Sequence, residues 1–100
     1  MTILTENTFE SEIKKQPVCL VDFYADWCGP CKMLGPVIEE VANEHPELFV
    51  AKVNVDDAPR IAGKLGITSI PYVVLFRNGE VDAVSIGFKP KAELLKALNL

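Results

Sequence analysis

The chain has 100 residues, 49% of them apolar and 24% charged, with 14 acidic and 10 basic side chains and a formal net charge of −4. This is the balance of an ordinary globular domain, and a chain of this length buries roughly two-thirds of its unfolded surface, so its core needs neither disulfide nor metal. The charges are dispersed, with no polybasic block to suit nucleic acid or a membrane surface, and no apolar run approaches the ~18 residues of a membrane span.

One domain over residues 1–100 is expected. The opening M-T-I-L-T-E-N lacks the cationic and apolar regions of a signal peptide, which makes the cytoplasm the default location, although a processed precursor would look the same. Between Thr5 and Lys15, Asn7 stands three residues before Glu10 and Phe9 four before Ile13, the marks of a short helix with a capped start, ending before Pro17. Val18 to Tyr24 is apolar almost throughout and reads as a strand covered on both faces, with Asp22 its one carboxylate. Cys19, inside that run, reads as a small buried hydrophobe without chemistry.

From Cys31 to Glu44 the apolar residues Leu34, Val37, Ile38, Val41 and Ala42 make the stripe of a core-facing helix. Pro36 removes the bond to the Lys32 carbonyl and predicts a kink one to two turns after the cysteines. Leu48 to Val55 reads as a second strand, so that strand, helix and strand make a right-handed βαβ unit with parallel strands. Ala58 to Leu65 predicts a short helix closed by Gly66. Tyr72 to Phe76 and Val81 to Ile86 predict a hairpin, because Asn78-Gly79 suits the two positive-φ positions of a type I′ turn. A last helix from Pro90 would place Leu94, Leu95 and Leu98 on one face.

The cysteines of D-W-C-G-P-C-K, Cys28 and Cys31, admit three readings. As a staple, a loop of four residues would stabilise the fold by only about 2 kcal/mol, against roughly 3 for a 15-residue loop. As half of a zinc site, the pair has too few partners: Cys19 is in a strand, and the single histidine, His45, lies about 21 Å along the helix. As a redox pair, Cys28 falls just ahead of a helix whose unpaired N–H groups and dipole favour a thiolate, and Cys31 falls one turn in. Cys28 would then attack a substrate disulfide, and the less exposed Cys31 would resolve the mixed disulfide. Asp22 is either a strand-edge carboxylate satisfied by water or a desolvated acid that takes the proton Cys31 must lose. Lys52, on the next strand, either sits beside it or faces solvent.

W-C-G-P-C-K, preceded by V-D-F-Y-A-D and followed by M-L-G-P, resembles the active-site segment of the thioredoxin family. A-K-V-N-V-D, G-I-T-S-I-P, L-F-R-N-G-E and S-I-G-F continue the likeness in order over essentially the whole chain. The resemblance implies an α/β thioredoxin fold, a central mixed β-sheet flanked by helices on both faces. It implies Cys28 as attacking and Cys31 as resolving thiol, Asp22 as the family's buried acid and Lys52 as the lysine beside it. Trp27 matches the tryptophan that shields the site, and Pro71 the cis proline that faces the cysteines. The implied client groove is Trp27, Gly29, Pro30, Ile70, Pro71 and Gly87, where the backbone beside Ile70 would pair with an extended client strand. Without the family, plain core packing is the alternative reading for Trp27 and Ile70. Tyr72 and Phe88 depart from the family's usual residues and would add aromatic surface near the groove.

Gly29-Pro30 supplies no histidine to stabilise a thiolate, which favours a reductant of protein disulfides. Its recharging partner would be a flavin-containing, NADPH-dependent reductase. The chain itself is expected to be a monomer that holds no cofactor beyond the Cys28–Cys31 disulfide, no metal, no nucleic acid and no membrane. The alternatives are a disulfide oxidase or isomerase of the same fold, and a non-catalytic module that uses the groove only to bind.

Overall fold

In the computed structural model, which describes residues 1–100, the apolar run Val18–Tyr24 is strand β2, at the centre of a five-stranded sheet. Its interior residues are buried on both faces, as an apolar run without alternation requires. Helix α2 (Gly29–Glu44) then crosses over to β3 (Phe49–Asn54), which pairs parallel to β2 from Cys19↔Phe49 to Tyr24↔Asn54. This is the expected βαβ unit. Strand β1 (Thr2–Ile3) pairs parallel to the outer edge of β3. Helix α1 (Phe9–Lys15) lies between β1 and β2; a 3-10 turn (Val55–Asp57) and α3 (Pro59–Leu65) follow β3. Strand β4 (Tyr72–Arg77) pairs antiparallel to the other side of β2, β5 (Glu80–Ile86) pairs antiparallel to β4, and α4 (Lys91–Ala97) closes the chain. The sheet order is β1-β3-β2-β4-β5.

Because strand side chains alternate, each strand feeds two cores. Cys19, Val21 and Phe23 of β2 join Ala51, Val53, Val74 and Phe76 under Phe9 and Ile13 of α1, with Ile61 and Leu65 of α3 packed alongside. Leu20 joins Val50, Val73 and Leu75 on the opposite face, under Leu34, Ile38 and Val41 of α2 and Leu94 and Leu98 at the end of the chain. The sheet is therefore mixed and covered by helices on both faces, as the resemblance implied. Asn78 and Gly79 have φ of 53° and 82°, the pair of positive values the hairpin turn needed.

One local expectation is revised. Asn7 does not cap α1: the N-cap is Thr8, and Glu10 bonds Lys14 on its own helix rather than reaching back to a cap. The Thr8 hydroxyl accepts the Thr5 N–H at 2.9 Å, so the chain enters α1 through a turn closed from outside the helix. α2 passes Pro36 without interruption, leaving the Lys32 carbonyl with no helical donor. Strand β1, two exposed residues long, has no periodicity by which to recognise it.

Candidate active site

The chain leaves β2 and turns sharply, the Cys28 N–H donating to the Ala25 carbonyl at 3.2 Å. This turn makes Cys28 the N-cap of α2. Its extended backbone, φ −89° and ψ 111°, aims its sulfur at the first helical turn, where it accepts the Cys31 N–H at 3.3 Å. Pro30, in that first turn, lacks an N–H at a position where helices leave that donor unpaired anyway, and no acidic side chain opposes a thiolate there. Cys28 and Cys31 are joined by a disulfide, with Cα atoms 5.2 Å apart. Each is only 5% exposed, so in the bonded form Cys31 is not the more hidden of the two. Tyr24, Ala25, Val55 and Ile70 pack around both.

The Ile70-Pro71 peptide is cis, and the Ile70 carbonyl oxygen lies 3.9 Å from the Cys28 sulfur. A disulfide sulfur carries no proton, so this is a contact and becomes a hydrogen bond only to a free thiol. The Pro71 carbonyl accepts the Gly87 N–H at 2.8 Å, which ties the loop after β5 to the site. Gly87 has φ +85°, and a side chain there would meet nothing within 4 Å; the backbone conformation alone favours glycine.

Trp27 is 71% exposed, which removes the core reading. Its indole N–H donates to Asp56 at 2.8 Å, and the Asp56 N–H in turn donates to the Asn54 side chain at 3.0 Å. Beside it lies an open depression of ≈ 370 Å³ walled by Trp27, Val55, Ile70 and, from α3, Pro59, Ala62 and Gly63. Gly29 and Pro30 are exposed next to the disulfide. Neither Asp56 nor the α3 wall was foreseen, because an acceptor 29 residues from its donor leaves no spacing pattern. Phe88 is 38% exposed after Gly87, whereas Tyr72 packs against the core under α1 and α3.

Asp22 is fully buried on the sheet face under α2, and neither carboxylate oxygen has a hydrogen-bond partner. It is in register with Lys52 on β3 and with Val73 on β4. Burial pushes its pKa up to about 6, with Lys52 pulling the other way. Lys52, half-buried, lines a second depression of ≈ 410 Å³ together with Cys31, Tyr24, Asp26, Lys32 and Gly35. The fold thus gathers the sequence's candidates along one end of the sheet: the cysteines with Trp27 and Ile70, and Lys52 with Cys31 on the far side of the disulfide. Cys19 is the one free cysteine, buried, its pKa pushed up to about 12 by desolvation and then by Glu12.

No helix is long and apolar enough to cross a membrane, and no three His, Cys, Asp or Glu side chains converge as a metal site would require. The thioredoxin family model matches residues 1–100. Thioredoxin of Rickettsia bellii is 43% identical over 98 residues, which cover 96% of this chain and 93% of that protein. Thioredoxin of Bacillus subtilis is 44% identical over 96 residues, covering 95% and 91%. Among solved structures, Plasmodium falciparum thioredoxin superposes with a TM-score of 0.92 at 31% identity, over 99% of this chain and 97% of that one. Oxidised mitochondrial thioredoxin 3 from Saccharomyces cerevisiae superposes with a TM-score of 0.89 at 36% identity, over 100% and 95%. In sequence and in fold the chain belongs to the thioredoxin family, and protein-disulfide reduction by thiol–disulfide exchange is the chemistry that its Cys28–Cys31 pair serves.

Proposed function

We propose that the protein is a reductant in which Cys28 attacks and Cys31 resolves. The observation that carries this assignment is the Cys31 N–H directed at the Cys28 sulfur on the helix cap, a place where thiolate charge is favoured. In the dithiol form the Cys28 thiolate attacks one sulfur of a client disulfide; a Cys28–client bond forms and the other client sulfur leaves as thiolate. Cys31 then gives its proton to the Asp22 carboxylate and attacks the Cys28 sulfur. The Cys28–client bond breaks, the second client thiolate leaves, and Cys28–Cys31 closes. Two electrons have passed to the client, and the proton held by Asp22 returns to a leaving thiolate.

An acid with a pKa of about 6 exchanges protons near neutral pH, and the depression beside Cys31 is lined by Lys52, the register neighbour of Asp22. Trp27, Gly29, Pro30, Ile70, Pro71 and Gly87 form the client groove. The Ile70 backbone beside the Cys28 sulfur is placed to pair with an extended client segment. Gly29-Pro30 puts no cation between the cysteines to stabilise the thiolate further, which supports the reducing direction. We assign the protein to the cytoplasm as a monomer without a cofactor of its own, reset by an NADPH-dependent flavin reductase.

The test is the reduction potential of the pair, equilibrated in a thiol redox buffer and read by the fluorescence of Trp27, the single tryptophan. The established thioredoxin value is about −270 mV; a result at or below about −250 mV supports the reductant, and one above about −200 mV makes the protein an oxidant or isomerase. A Cys31→Ser variant separates catalysis from binding: a reductase traps clients covalently on Cys28, whereas a binding module releases them on denaturation without reductant.

A further inference from the structure

The register sets Lys52 beside Asp22, yet the two form no ion pair. Both Asp22 oxygens lack partners, and the Lys52 ammonium lies 4.5 Å from the centroid of the Tyr24 ring. Tyr24 follows Asp22 by two positions on β2, and it pairs with Asn54, two residues beyond Lys52 on β3. The three side chains therefore share one face of the sheet, and Lys52 leans along the strands toward the disulfide end. A buried carboxylate without hydrogen bonds should draw a neighbouring ammonium onto itself. Here the negative face of an aromatic ring has taken it instead.

We infer that Tyr24 is a positioning residue of the exchange reaction: its ring holds the Lys52 ammonium off Asp22 and leaves the buried acid without a direct ion-pair partner. The consequence for exchange rests on the reading of Asp22 as the acceptor of the Cys31 proton. A carboxylate locked to an ammonium would be a poor proton carrier. With the lysine held aside, desolvation remains the larger influence on Asp22 and its pKa stays near 6.

Few other charges compete. The residue opposite Asp22 on β4 is Val73. From the segment before α2 and from α2 itself, Asp26 and Lys32 reach the rim of the depression that Tyr24, Cys31 and Lys52 share. Burial first, and then Asp26, Asp22 and Asp57, raise the pKa of the Tyr24 hydroxyl, so the ring remains neutral while the acid titrates.

The test is an NMR titration of the Asp22 carboxyl carbon in Tyr24→Leu and Tyr24→Phe, each repeated with Lys52→Met. Tyr24→Leu is expected to let Lys52 close on the acid and to lower its proton affinity about threefold, roughly half a pH unit. Tyr24→Phe keeps the aromatic face and should leave the titration in place. In the Lys52→Met background the leucine substitution should have no effect. A rise, an unchanged value, or a fall that persists without Lys52 overturns the inference, the last because it would report only water entering beside a smaller side chain.

A measurement on the unaltered protein stands even if a variant fails to fold. The Lys52 ε-methylene protons should be displaced upfield by the ring current of Tyr24, and ordinary lysine shifts would equally overturn the inference. Failure of the proton-acceptor reading shows separately, as an Asp22→Asn variant whose Cys31 attacks the mixed disulfide at the unaltered rate, since the titration reads Tyr24 in either case.

Discussion

Replacing Asp22 by asparagine should remove part of the protein's pH dependence of stability. Burial raises the carboxyl from 3.8 to about 6, about two units, and each unit is 1.36 kcal/mol of difference between protonation states. The folded chain therefore holds this proton more tightly than the unfolded chain. Stability from this group is fully present below about pH 4, declines as pH rises, and is lost once pH passes through the folded pKa near 6. The loss amounts to about 3 kcal/mol, a large share of the 5–15 kcal/mol typical of a domain. The assay is urea unfolding of the disulfide form, followed by Trp27 fluorescence between pH 4 and 8, for the protein and for Asp22→Asn. The buried amide lacks partners as the acid does, which shifts the variant's curve by about 1–3 kcal/mol at every pH without changing its shape. Surface carboxylates such as Glu10, held down by Lys14, are common to both proteins and cancel in the difference. The variant's stability relative to the parent should rise by about 3 kcal/mol across this range, with its midpoint between 4 and 6. A flat difference would show that Asp22 is solvated in solution, and one that falls with pH would show a carboxylate held by a partner; either would remove the basis for its role as proton carrier.

Gly87→Ala should cost about 1–2 kcal/mol, because φ of +85° is strained for any side chain although the space beside it is open. Its effect on exchange should appear as a raised KM for a protein disulfide, through the loop tied to Pro71. Ile38→Ala, on the buried face of α2, should lower stability by about 2–5 kcal/mol with an unchanged urea m-value; a loss under about 1 kcal/mol would contradict the packing. Cys19, fully buried with its pKa near 12, should resist iodoacetamide at pH 8 in the folded reduced protein while Cys28 is alkylated. Labelling of the two at comparable rates would place Cys19 at the surface.

Much of the architecture was legible because it is written in local chemistry. The stripe from Leu34 to Val41 specifies the buried face of α2, the unbroken run Val18–Tyr24 specifies a strand covered on both faces, and Asn78-Gly79 specifies its turn. Cys28 is the N-cap of α2 and Cys31 lies in its first turn, so their relation to the helix terminus was also a local property. The start of α1 was less legible. Thr8 rather than Asn7 takes the N-cap position, and its hydroxyl accepts the Thr5 N–H instead of capping a helix N–H.

Residue order alone supplies the chemistry available: two thiols at a helix terminus, one carboxylate in an apolar strand, and one lysine on the next strand. The tertiary structure alone decided how far these groups interact. The β2–β3 register sets Lys52 beside Asp22, the ring of Tyr24 takes the ammonium, Asp56 holds the exposed indole of Trp27, and Ile70 is carried 42 residues to the Cys28 sulfur. Desolvation and Coulomb interaction depend on burial and on distances of a few ångströms between residues far apart in the chain, and those distances exist only once the two cores have packed against the sheet.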